Sequence, residues 1–314
     1  MNRKPADTIG PAVEIPEPEP VGPQDTLLNA GRKLCRMHAS VLWTGDCSAD
    51  CRDAERVHRM RVAVRKLRFI VQLWAPYLDA KKTRRLRKEL KWLSQLLGDV
   101  RDAAVLRERF DRQWAEPFWS TPLKKFIGNE LDKKETEATT ALEQAYLSER
   151  YERLLADLDR HFGPPVPAGD GPPASAVVPG LFRIAVKKTG RFAGRKLAFD
   201  EIHAFRIAFK RLRYMTEFFG NYYRGTLHQH LGRFRKYQEV LGLFCDAYVA
   251  ESFLRSLAGR APAATPEERN IFLELGCLIQ TQRIDSLKQF RRFEKKAVRL
   301  PDQLKLLRRR TKVL

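Results

Sequence analysis

Two segments carry basic side chains at a spacing that suits a row of anionic groups: HRMRVAVRKLRF from His58 and HAFRIAFKRLRY from His203. On a helix of 3.6 residues per turn, His58, Arg61, Arg65 and Arg68 fall within an arc of about 80°. They form one cationic stripe about 15 Å long, at about 1.5 Å of rise per residue. His203, Arg206, Lys210 and Arg213 repeat the arrangement. Like charges at this spacing repel, so a compensating anion is expected. Arginine suits that role because its planar fork holds phosphate oxygens bidentately, while lysine acts as a compact point charge. One such stripe alone reads as a solvated charged face. Its recurrence in two otherwise diverged segments argues for a retained function. The histidines can gain charge beside phosphate, since histidine titrates near pH 6.5; a half-buried structural role competes with that reading.

The elements that position these stripes follow from composition. The chain has 314 residues, 43% of them apolar, with 59 Lys plus Arg against 38 Asp plus Glu, a net charge of +21. That composition gives one or two globular domains with a real core and excludes wholesale disorder. The charge draws polyanions such as nucleic acid, anionic lipid or phosphate polymers. Neither an apolar run of about 18 residues nor the apolar segment of a secretory signal is present. Five scattered cysteines, an odd number, fit reduced thiols in a cytoplasm. Cys47-x-x-x-Cys51 lacks a second pair at zinc-finger spacing, and His228-x-His230 points to different sides of a helix.

Leu, Arg, Lys, Glu and Ala dominate, with apolar residues at helical spacing and no useful β alternation, so the chain reads as all-α. Breakers place helices near 25 to 44, 52 to 78, 80 to 114 and 118 to 161, then near 181 to 197, 200 to 222, 226 to 259 and 266 to 299. On the helix from His58, the core contacts are assigned to Met60, Val64, Leu67, Val71 and Trp74. Six prolines fall in the first 24 residues and six between Pro164 and Pro179. Residues 1–24 are therefore expected to be a disordered tail, 163–180 a linker without helix or strand, and 301–314 a basic tail. That leaves residues 25–162 and 181–300 as two similar helical units.

The two units match at an offset of 145 through the basic segments, pairing His58 with His203, Arg61 with Arg206, Arg65 with Lys210, Lys66 with Arg211 and Arg68 with Arg213. Further on, at an offset of 144, Leu97-Gly98-x-x-x-Asp102 answers to Leu241-Gly242-x-x-x-Asp246, and Lys91 answers to Arg235. Gly in a helix costs about 1 kcal/mol relative to Ala, so close helix packing is expected at Gly98 and Gly242. Asp102 and Asp246 are expected to orient the arginines. Two units of this kind imply two four-helix bundles related by a pseudo-twofold axis.

On both copies, His58-x-x-Arg61-x-x-x-Arg65-x-x-Arg68 with Leu97-Gly98-x-x-x-Asp102 and the set from His203 to Asp246, the chain resembles the conserved histidine α-helical domain, CHAD, over about residues 25 to 300. The resemblance implies two four-helix bundles whose basic helices line a shared central groove, and binding of inorganic polyphosphate with recruitment to polyphosphate granules. The residues it would turn toward the polymer are His58, Arg61, Arg65, Lys66, Arg68, Lys91, Arg101, His203, Arg206, Lys210, Arg211, Arg213 and Arg235. The second copy has Cys245 where the first has Arg101, so Arg101 has no basic counterpart. Some relatives carry a triphosphate-tunnel domain with Glu-x-Glu-x-Lys. Glu17-x-Glu19 continues here into Pro20-Val21 and Glu135-x-Glu137 into Ala138-Thr139, so a binding module without catalytic residues, metal or cofactor is expected. Phosphate-loop, zinc-protease and hydrolase signatures are absent from the sequence. Two other readings stand beside it. A non-specific nucleic-acid binder lacks stacking aromatics interleaved with the cations, and a metal-dependent phosphohydrolase would need ligands beyond His58 and His203.

Overall fold

The computed structural model describes residues 21–43, 51–162, 171–194, 197–198, 201–261 and 264–311. Ten α-helices order them: α1 Leu27–Trp43, α2 Ala54–Trp74, α3 Ala80–Trp114, α4 Thr121–Tyr146, α5 Glu149–Phe162, α6 Ala174–Gly190, α7 Glu201–Phe218, α8 His228–Ala258, α9 Pro266–Ala297 and α10 Leu300–Arg310. Among the described residues there is no strand, and Thr26 and Pro173 form an isolated bridge. The all-α expectation holds, and no described helix is long and apolar enough to cross a membrane.

Each half carries five described helices where four are expected. The segment from 118 to 161 breaks at Leu147-Ser148, where the Ser148 hydroxyl accepts from the backbone N–H of Tyr151 at 3.3 Å and starts α5. The basic tail is likewise helical through Arg310. Leu300, Leu304 and Leu307 bury on one face of α10, which packs on α6 and α9, so the apolar spacing prevails over the charge.

The expected linker also gives way to helix, at Ala174. Ala174, Val178, Phe182 and Val186 recur every four residues on the buried face of α6, which runs through Pro179. Two backbone bonds hold its start against α1: Leu27 N–H donates to the Pro172 carbonyl at 2.9 Å and Ala174 N–H to that of Asp25 at 3.0 Å. Proline removes one helical hydrogen bond; the burial of this face outweighs that loss. Val21, assigned to the tail, is buried. Residues 1–20, 163–170 and 312–314, and Cys47 of the cysteine pair, lie outside the described residues.

Packing joins the halves in two places. One apolar cluster runs from α1, α2 and α3 into α6, α7 and α8. At its centre Trp74 stacks on Phe219 with ring centroids 6.3 Å apart, and its Nε1 donates to the Leu27 carbonyl at 2.6 Å. Gly31 fits this contact, since a Cβ there would meet the indole at 2.6 Å. A second cluster unites Leu106 and Phe110 of α3 and Ile127 of α4 with Leu254 of α8 and Leu275 of α9.

Candidate polyanion-binding site

Between α2, α3 and α7 lies an open cleft of about 810 Å³. Its position follows from helix amphipathicity. Asp53 caps α2 by accepting from the N–H groups of Glu55 and Arg56 at 2.9 and 3.2 Å. The face carrying Met60, Val64, Leu67, Val71 and Trp74 is buried as expected, which leaves the stripe beside it turned to the cleft. On α7, Ile202, Phe205, Phe209 and Leu212 bury in the same way. Asp79 caps α3 through the Lys82 N–H at 2.7 Å.

Arg65 and Arg68 of α2, Arg84, Arg87, Lys88 and Lys91 of α3, and Arg206, Lys210 and Arg211 of α7 give the cleft nine cationic side chains, with His203 beside them. No carboxylate lines it among the described residues. Phe69, Ile207 and Tyr214 form its apolar floor, with Tyr214 buried against Phe69. Two polar contacts order the rim: Arg68 donates to the Ser94 hydroxyl at 3.0 Å and Arg211 to the Gln72 amide oxygen at 3.3 Å, the latter joining α7 to α2.

The electrostatics register this crowding. Burial, then Arg65 and Arg87, hold the Arg68 guanidinium below its ordinary range. Burial, together with Arg65, Arg206 and Arg61, pulls the Lys210 ammonium from 10.5 to about 7. The protein has placed positive charge where it opposes itself, and an anion in the cleft relieves that opposition.

Of the thirteen sequence candidates, Arg65, Arg68, Lys91, His203, Arg206, Lys210 and Arg211 come together in the cleft. The other six do not line it. Lys66 turns instead to Glu217 of α7, donating to its Oε1, and Arg213 pairs with Oε2 of the same carboxylate at 3.4 Å while lying 4.9 Å from the Tyr214 ring centroid. Lys66 thereby ties α2 to α7, Arg213 pairs within α7, and both cations are already compensated. Arg61 pairs with Asp102 at 3.2 Å, as expected of an orienting aspartate. Burial, then Arg65, keeps its guanidinium below the usual range, with Arg206 and Arg101 also near. His58 stands at the solvent edge near the start of α2, where partial loss of water around its ring, then Arg101, holds it neutral to lower pH. Arg235 stands exposed on α8 outside the cleft.

Three cleft residues, Arg84, Arg87 and Lys88, escaped the sequence reading. Their helical spacing with Lys91 was a usable signal. The internal repeat does not carry it, because the positions 144 residues on are His228, Leu231 and Gly232. The glycine expectation also fails: a Cβ on Gly98 or Gly242 would meet nothing within 4 Å. Asp246 makes no counterpart to the Arg61–Asp102 pair; burial raises its carboxyl, with Arg206 and Arg109 opposing. Among the described residues no three His, Cys, Asp or Glu side chains are grouped to hold a metal.

A family profile described as the CHAD domain matches residues 38–255, which include both basic helices and all three walls of the cleft. This chain belongs to the CHAD domain family. Solved structures agree on the fold. The crystal structure of the CHAD domain from the plant Ricinus communis superposes with a TM-score of 0.66 at 23% identity, covering 95% of this chain and 96% of that one. PptA from Streptomyces chartreusis gives 0.64 at 18% identity, with 88% and 99% covered. Two curated relatives, the uncharacterized proteins MT2285 and Rv2226 of Mycobacterium tuberculosis, are 29% identical over 206 residues. That match covers 62% of this chain and 40% of theirs, so this CHAD chain spans less than half of their length.

Proposed function

We propose that this protein binds inorganic polyphosphate in the cleft between α2, α3 and α7, acting as a binding module, at polyphosphate granules, rather than as an enzyme. The observation that supports this reading most directly is nine cationic side chains from three helices converging on one cleft with no carboxylate among its described lining. Family membership points the same way. The polymer supplies one negative charge per phosphate along a thin, base-free chain. Arg65, Arg68, Arg87 and Arg206 would grip its oxygens bidentately, and Lys88, Lys91 and Lys210 would act as point charges. Part of the binding free energy comes from ending the repulsion among these groups, and counterion release adds to it.

The test is a fluorescence-anisotropy competition with labelled polyphosphate of defined length against single-stranded DNA, on wild type and Arg65→Ala/Arg206→Ala. Tight binding that DNA displaces poorly and that the double substitution weakens supports the cleft. Equal competition by DNA, unaffected by the substitutions, would leave net charge as the whole explanation. Phosphate release assayed alongside, with and without divalent ions, checks the non-catalytic reading; saturable hydrolysis lost in His58→Ala would overturn it.

A further inference from the structure

Lys210 stands apart within the cleft by what surrounds it. It is half-buried on α7, one turn after Arg206 on the same helix and facing Arg61 and Arg65 of α2. Among the described residues no carboxylate lies within ion-pair distance of its Nζ. The nearby acids are engaged elsewhere: Asp102 of α3 holds Arg61, and Glu217 holds Lys66 and Arg213. From α8, Cys245 approaches, with Asp246 next to it in the chain. Burial raises the thiol and the carboxyl alike, and Arg206 is the charge acting most strongly on each. On its other side α7 meets α6, where the Thr189 hydroxyl donates to the Ala208 carbonyl.

Chemistry separates this side chain from its neighbours. The arginines around it cannot give up a proton in a protein. Lysine can, and a desolvated ammonium ringed by three guanidinium groups is the one whose discharge relieves the most repulsion. The basic repeat has Arg65 at the matching position of the first copy, where the charge is permanent.

We infer that the cleft takes up a proton on Lys210 Nζ as a polyanion enters, so that its affinity for polyphosphate falls as pH rises above neutrality. The proton comes from solvent and adds to the nitrogen lone pair; the phosphates then supply the counter-charge that the protein omits. This inference rests on the polyphosphate reading. Its sign follows from the free protein: burial and the arginines bring the free ammonium to about 7, and phosphate favours the charged form. Below that value Lys210 is already charged and binding takes up nothing. Above it, binding takes up as much as one proton, and affinity weakens by up to about tenfold per pH unit.

Isothermal titration of wild type with polyphosphate of defined length, in buffers of contrasting ionisation enthalpy from pH 6 to 8.5, measures that proton. Uptake should grow from near zero at pH 6 toward one at pH 8.5, and Lys210→Arg, at whatever affinity it keeps, should take up no proton. Binding without uptake at pH 8.5 would refute the inference and leave the polyphosphate reading standing. So would uptake that persists in Lys210→Arg and vanishes in His203→Gln, which would assign the proton to the cleft histidine. A heteronuclear NMR titration of lysine side chains in the free protein, with Lys210→Arg to assign the signal, needs no ligand. A Lys210 signal titrating near 10 would sink the inference whether or not polyphosphate binds.

Discussion

Removing Arg84, Arg87 and Lys88 together should change the salt dependence of polyphosphate binding by an amount that the structure sets. Each cation that meets a phosphate releases counterions, giving a slope of log K against log salt of about −0.7 per contact for a single-stranded polyanion. With nine cations lining the cleft, full engagement gives a slope of about −6, or a loss of about 4,000-fold in affinity between 50 and 200 mM salt. The triple alanine variant leaves six, a slope of about −4 and a loss of about 250-fold over the same range. Fluorescence anisotropy at pH 6, where Lys210 is charged, measures both slopes. Lys66→Met is the control, because Glu217 already holds that ammonium, and its slope should match wild type. A triple variant with an unchanged slope, or a Lys66→Met slope shifted by as much per charge as the triple, would refute the division between free and compensated cations.

Three further outcomes concern stability. Because Lys210 titrates at about 7 in the folded protein and near 10.4 when unfolded, the unfolded chain binds more protons between these values. Stability should therefore rise with pH across that window, by an amount on the order of a few kcal/mol. Lys210→Met should flatten that rise and unfold at a higher temperature than wild type at pH 6, as circular dichroism melts would show. Gly98→Ala has open space for its methyl group and should stabilise α3 by up to about 1 kcal/mol; a lowered melting temperature would contradict this. Gly31→Ala drives a methyl group into the Trp74 indole and should destabilise by about 1 to 3 kcal/mol in denaturant unfolding.

The helical class and the buried face of α2 were legible because apolar spacing repeats over many turns, and seven of the thirteen candidate residues reach the cleft for the same reason. What escaped has separate causes. Lys66 and Lys210 look alike in sequence, both lysines within basic runs. Nothing local announces that Glu217, 151 positions on, takes one and leaves the other, since that choice belongs to how α2 meets α7. The helix at Ala174 was obscured because proline is a strong local signal, while the burial that prevails over it comes from α1 and the rest of the core. Gly98 and Gly242 show the opposite failure: a cost inferred correctly from propensity, with a packing reason that the structure does not supply.

The two apolar clusters that cross between the halves make the halves mutually dependent. Trp74 of the first half stacks on Phe219 of the second, and Phe110 lies with Leu254 in the other cluster. Neither half has a complete interior of its own. Produced as separate polypeptides ending at 162 and beginning at 171, each should be poorly folded alone and should recover structure when mixed with the other. Polyanion binding would then serve as a reporter of complementation between fragments, because the cleft takes two walls from one fragment and the third from the other.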